Sequence, residues 1–169
     1  MNFHTGDTVM HWTYGLGQIV NLEERALSGS KTLYYAVQVR DLTVWVPADG
    51  KVGSRLRSPT PKLRFKRLLA ILSNPSEPLP EDWQERRTRL LELLKDGRAE
   101  SLCQVIRDLS AYQKQKLRPM NDNDQMVLKQ SRNTLLGEWG FVLSITHAQA
   151  ELELHRLLAP TPGPLEIEV

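Results

Sequence analysis

Leu33-Tyr34-Tyr35-Ala36-Val37-Gln38-Val39, followed two residues later by Leu42-Thr43-Val44-Trp45-Val46, is the stretch that decides the N-terminal half of the fold. Leu33, Tyr35, Val37 and Val39 alternate with Tyr34, Ala36 and Gln38, and Leu42, Val44 and Val46 alternate with Thr43 and Trp45. A period of two predicts strands with one buried and one open face. If Leu42, Val44 and Val46 point inward, Trp45 points outward, beside Tyr34; a following segment folded over Trp45 is the other reading. The connection Arg40-Asp41 is poor chemistry for a two-residue hairpin, which favours Asn-Gly or Asp-Gly.

Upstream, Thr8-Val9-Met10-His11-Trp12 is short and β-prone, and Tyr14-Gly15-Leu16-Gly17 supplies two glycines for a turn. A further strand runs from Gln18 to Ala26 with Ile19, Val20 and Leu22, and Ser28-Gly29-Ser30 marks a second turn. Four short strands with tight connections predict a small, strongly bent antiparallel barrel of SH3 or Tudor type over residues 1–58. An exposed strand on such a sheet is a docking edge.

After Pro59 the periodicity becomes helical. Thr60-Pro61 is a cap and first-turn pair, and Phe65, Leu68, Leu69 and Leu72 form one stripe. Ser73-Asn74-Pro75-Ser76-Glu77-Pro78-Leu79-Pro80 breaks the pattern, so residues 59–80 read as a helix and a Pro-rich linker. A helix from about Asp82 to Lys95 follows, with Leu90, Leu91 and Leu94 apolar and a stop at Asp96-Gly97. Further stripes are Leu102, Val105, Ile106, Leu109 and Tyr112, then Leu128, Leu135, Leu136, Trp139, Val142 and Leu143. Thr146-His147-Ala148-Gln149 is a capping box ahead of Ala150, Leu154, Leu157 and Leu158. The fold class is therefore α+β: a β-barrel, then an all-α bundle over 81–158, with 159–169 a disordered Pro-rich tail.

The chain has 169 residues, 40% apolar and 25% charged, the composition of a soluble globular protein. It has no apolar run near the roughly 18 residues of a membrane span. Its start, Met1-Asn2-Phe3-His4-Thr5-Gly6-Asp7, lacks the basic and apolar regions of a signal peptide. A cytoplasmic location is expected. Cys103 is the one cysteine, which excludes an internal disulfide and a cysteine-based zinc site. His4, His11, His147 and His155 have no metal-ligand spacing, and Gly15-Leu16-Gly17 lacks the third glycine and following helix of a nucleotide loop. Neither a nucleophile with its base nor a metal or cofactor site is expected, so an enzyme is disfavoured.

Net charge is only +2, but Lys51, Arg55, Arg57, Lys62, Arg64, Lys66 and Arg67 lie in a stretch without Asp or Glu. Such a block suits an acidic protein or a polyanion at the joint between the halves, or a solvated face. Pro80-Glu81-Asp82-Trp83-Gln84-Glu85-Arg86-Arg87 has a second pattern. On a helix Arg86 and Arg87 share a face with Trp83. A flat ring flanked by two guanidiniums can wedge against stacked bases while the cations hold phosphate. The alternative is a tryptophan packed in the core at a helix start.

The order and spacing of Phe3-His4-Thr5-Gly6-Asp7-Thr8-Val9, Tyr14-Gly15-Leu16-Gly17, Leu42-Thr43-Val44-Trp45-Val46-Pro47, Val52-Gly53-Ser54-Arg55-Leu56-Arg57, Trp83-Gln84-Glu85-Arg86-Arg87, Leu94-Lys95-Asp96-Gly97 and Val105-Ile106-Arg107-Asp108-Leu109 resemble the CarD/CdnL family of bacterial transcription regulators. The resemblance runs to about Leu158. It implies a Tudor-like N-terminal domain similar to the RNA-polymerase-interacting module of transcription-repair coupling factors, contacting the polymerase β subunit through Thr43, Val44, Trp45 and Val46, with Arg25. It also implies a helical domain that touches promoter double-stranded DNA in the minor groove at the upstream bubble edge, through Trp83, Arg86 and Arg87. The implied protein is a monomer without a cofactor that stabilises the open promoter complex without reading an operator sequence. Family members often carry an arginine where this chain has Trp45, but edge pairing through backbone hydrogen bonds does not depend on that side chain. The competing reading is a protein-interaction adaptor with no DNA contact.

Overall fold

In the computed structural model the described residues are 2–26, 29–115 and 120–159. The N-terminal half is a five-stranded antiparallel sheet of β1 (Thr8–His11), β2 (Gly15–Arg25), β3 (Thr32–Val39), β4 (Leu42–Pro47) and β5 (Leu56–Arg57), in the order β4-β3-β2-β1-β5. Five helices follow: α1 (Lys62–Leu68), continued by a 3-10 turn over Leu69–Ser73, then α2 (Trp83–Leu94), α3 (Ala99–Gln115), α4 (Asp122–Leu143) and α5 (His147–Leu158). The fold is α+β with two separate cores.

Alternation builds the first core. Val9, Ile19, Tyr35, Val37, Val39 and Val46 are buried together, with Val44 packed against them. Tyr35 pairs with Val46 and Val37 with Val44, so Trp45, opposite Ala36, lies on the other face. Leu33 and Leu42 depart from the pattern: each is nearly half exposed, because each sits where its strand ends and the core no longer covers it. Arg40-Asp41 does close the hairpin, Val39 pairing with Leu42, and Arg40 takes a left-handed φ of 54° to do so.

The glycine pair behaves differently from the expected turn. Trp12–Tyr14 make the turn, and Gly15 and Gly17 belong to β2. A Cβ on Gly17 would lie 2.9 Å from the methyls of both Val37 and Val39, so only glycine lets β3 approach this closely. The turn itself is held by His11, whose Nδ1 accepts hydrogen bonds from the amides of Thr13 (3.0 Å) and Tyr14 (3.1 Å). That nitrogen must be unprotonated, and burial pushes the imidazole below its ordinary value of 6.5. The folded protein then binds its proton less readily than the unfolded chain. The stability this group contributes is complete above about pH 6.5 and is lost as pH falls toward the lower folded-state value. An NMR titration of His11 should give a midpoint below 6.5. His11→Asn, which keeps an acceptor without titrating there, should lose less thermal stability on acidification than the wild type.

The second core takes Phe65, Leu68, Leu72, Leu90, Leu102, Ile106, Leu135, Trp139 and Leu154 from all five helices and the 3-10 turn. The segment expected as a linker is part of it. Leu79 is buried there, the Glu77 amide donates to Asp108 Oδ1 (3.0 Å), and Arg89 reaches the Pro78 carbonyl (2.9 Å). The prolines stop the helix without detaching the chain. Asp82 caps α2 by accepting from the Glu85 amide, and the Thr146–Gln149 capping box opens α5 as its sequence requires. Cys103 is fully buried between these helices, and burial raises its thiol to about 12, an inert spacer. The expected tail falls on 160–169, outside the described residues apart from Ala159.

Candidate functional site

Asp82 fixes the first turn of α2, so Trp83 projects from the first helical residue and is 48% exposed. It belongs to neither buried cluster. One turn on, Arg87 is exposed, and Leu91 another turn on is half exposed. Spacings of four put Trp83, Arg87 and Leu91 in one row on the outer surface of α2. Leu91 was expected in the core stripe; Leu90 fills that place and Leu91 does not. Glu81, Asp82 and Glu85 are exposed around the same turn, so the face carries both signs.

Arg86 corrects the sequence reading. Three residues after Trp83 it turns inward and is only 4% exposed. Its Nε and Nη2 lie 2.9 and 2.8 Å from Asp124 Oδ2 at the start of α4, and Nη1 donates to the carbonyls of Pro80 and Glu81, each 3.1 Å away. The guanidinium also lies 4.8 Å from the Tyr112 ring centroid. A guanidinium with its fork committed to one buried carboxylate cannot at the same time hold phosphate. An arginine within an apolar stripe reads equally as an exposed cation or a buried tie, and the partner that decides is 38 residues away.

The second expected contact lies on the sheet. Among the described residues β4 pairs with β3 and lies at the edge of the sheet, so its outer side is the free edge there. Thr43 is exposed and donates to Gln38 Oε1 (2.9 Å), Val44 and Trp45 are half-buried, and Val46 is in the core. Arg25, from the end of β2, lies 4.0 Å above the Trp45 ring. That stacking covers part of the ring and holds a cation on the outer face of β4.

The basic block reaches the joint between the halves, as its position in the sequence suggests, through Arg57; what sequence reasoning missed is the partner. Glu138 on α4 is fully buried. Its carboxylate accepts both Arg57 Nη groups (2.6 and 2.8 Å), the Thr60 amide (2.8 Å) and the Thr60 hydroxyl (2.9 Å). Arg57 Nε donates to the Gly97 carbonyl (2.6 Å). One side chain of the sheet thus ties β5 to α4 and to the loop before α3. The sequence signal for Glu138 itself is a Glu next to Trp139 in a stripe otherwise apolar. The rest of the basic block divides: Arg55 pairs with Asp49 and Arg64 with Glu100, while Lys51, Lys62, Lys66 and Arg67 are exposed. Among the described residues no cluster of three or more His, Cys, Asp or Glu could hold a metal, and no helix is long and apolar enough to cross a membrane.

Residues 3–52, the sheet, match the CarD-like/TRCF RID domain, and residues 67–155, the helices, match the CarD C-terminal domain. The chain belongs to the CarD family. CarD proteins are a class of transcription factors, generally non-catalytic, with an N-terminal RNA-polymerase-interacting domain. The chain is also similar to a Bacillus subtilis (strain 168) protein titled "Putative transcription factor YdeB": 25% identical over 149 residues, covering 87% of this chain and 96% of that protein. The CarD assignment accounts for both halves in the order the sequence places them.

Proposed function

We propose that this CarD-family protein binds the RNA polymerase β subunit through the free edge of β4 and contacts promoter DNA at the upstream bubble edge through α2, stabilising the open complex. It acts as a monomer, in the cytoplasm, carried to the nucleoid by the polymerase. Thr43, Val44, Trp45 and Val46 form the polymerase contact, with Arg25 held over Trp45. The observation that carries the DNA reading is Trp83: a large ring, half exposed on the first turn of a helix, outside both cores, with Arg87 beside it. Inserting such a ring at a base step offsets part of an unstacking cost of a few kcal/mol, and only DNA already distorted at a bubble edge gains from that. Phosphate contact by Arg87 positions the protein without reading sequence.

Trp83→Ala should change unfolding free energy by less than about 1 kcal/mol, as exposed substitutions do. It should leave polymerase binding intact and shorten the lifetime of the open complex. Arg87→Ala should weaken DNA binding evenly across sequences and flatten its salt dependence. The adaptor reading, without DNA contact, draws support from the exposed acids Glu81, Asp82 and Glu85 around Trp83. It requires that Trp83→Ala leave open-complex lifetime unchanged, and that result would remove DNA from the proposal.

A further inference from the structure

A cleft of about 530 Å³ lies between the two halves, walled by β1 and β5 on one side and by α2 and α4 on the other. That volume is within the range of about 300–1,000 Å³ of small-molecule sites, which favour domain interfaces. Its lining is apolar along Met10, Leu56, Leu94 and Val127. Trp12, 68% exposed, and Leu91, 50% exposed, stand at its edges with no core to cover them. The lining carries more cations than anions. Arg55 and Arg57 are held by Asp49 and Glu138, while Asp96 accepts from the neutral Arg98 amide and Ser101 hydroxyl and keeps its negative charge. Lys95 and Arg98, exposed on the loop joining α2 to α3, line the same cleft, and neither joins an ion pair among the described residues.

We infer that this cleft binds a small amphipathic anion, its apolar body against Leu91, Leu94 and Trp12 and its anionic head on Lys95 and Arg98. Apolar surface supplies affinity, and Lys95 and Arg98, outnumbering the Asp96 carboxylate between them, set the orientation and the sign of the head, although Arg98 also acts on Glu100. The site is independent of the polymerase and DNA contacts proposed above, so it is tested on the full chain alone.

Dodecanoate, kept below its micellar concentration, is titrated by calorimetry, with dodecyltrimethylammonium as the cation of like body. Binding of dodecanoate should saturate at one per chain, and NMR amide shifts should cluster at Trp12, Gly97, Arg98 and Thr134. Lys95→Glu with Arg98→Glu should bind roughly tenfold or more weakly, the size expected for one lost charge-assisted contact. Lys62→Glu, on α1 and outside the cleft lining, should bind as wild type. Leu91→Gln replaces an exposed side chain, so it tests the apolar wall even if the double charge reversal does not fold, and it should weaken binding too. Unsaturable uptake, equal binding of the cation, binding unchanged in both cleft variants, or shifts confined to another surface would each overturn the site. A cleft that ignores dodecanoate but is protected by an acidic peptide would be a protein-docking groove, and the inference would fail.

Discussion

Arg86→Ala is expected to lower the free energy of unfolding by about 3–5 kcal/mol, the cost of breaking a buried ion pair from one side. The size follows from what remains. Asp124 is 1% exposed, so without its partner it keeps a charge that water cannot reach. The carbonyls of Pro80 and Glu81 lose their donor, and Tyr112 loses the cation beside its ring. Arg86→Lys should recover only part, since one ammonium cannot reproduce the fork that meets Asp124 and two carbonyls at once. Arg86→Ala with Asp124→Ala should be less damaging than the two single changes added together, a coupling that a double-mutant cycle reads directly. Urea unfolding followed by circular dichroism is the measurement. An unchanged midpoint with a selective loss of DNA affinity would return Arg86 to the surface role its spacing suggested.

Glu138→Ala should be as costly, about 3–5 kcal/mol, and should also change the form of the transition. Arg57 is only 21% exposed, so little water replaces the lost carboxylate, and the Thr60 amide and hydroxyl are orphaned with it. Glu138 touches both halves, so its loss should separate their melting: one cooperative transition in the wild type, two in the variant. Glu138→Gln, which keeps acceptor oxygen but no charge, should fall between. Coincident sheet and helix signals in Glu138→Ala, with a small shift in midpoint, would mean that the halves are coupled elsewhere.

Periodicity made the larger part of the fold legible, because alternation and helical stripes are local properties of side-chain direction. Val37 and Val46, and likewise Phe65, Ile106 and Trp139, are buried as their patterns require, with Val44 half-buried beside them. What failed was non-local. Gly17 reads as a turn residue, yet its missing Cβ serves a neighbouring strand twenty residues on. The proline segment reads as a linker because breaking a helix and leaving a core look alike in sequence; Leu79 returns it to the core. Helical spacing puts Arg86 and Arg87 on the face of Trp83 and leaves open whether that face is exposed or core. Trp83 is exposed, but Arg86 is buried, because spacings of three and four alike assign both arginines to one side and cannot see the carboxylate that draws one inward. The short β5 strand carries no pattern in two residues, yet it holds the arginine that joins the domains.

The consequence of the Arg57–Glu138 tie is metric. A loose tether between two grips allows each to find its own target and transmits nothing but proximity. Here a forked bond to a dehydrated carboxylate, braced by Thr60 and Gly97, locks β5 of the sheet against α4 and the loop before α3. If β4 grips the polymerase and Trp83 the promoter, as proposed, the second grip falls at a constant number of base pairs from the first, whatever the intervening sequence. The molecule would then work as a caliper, and inserting or deleting a single base pair between its two points should matter more than altering any letter beneath them.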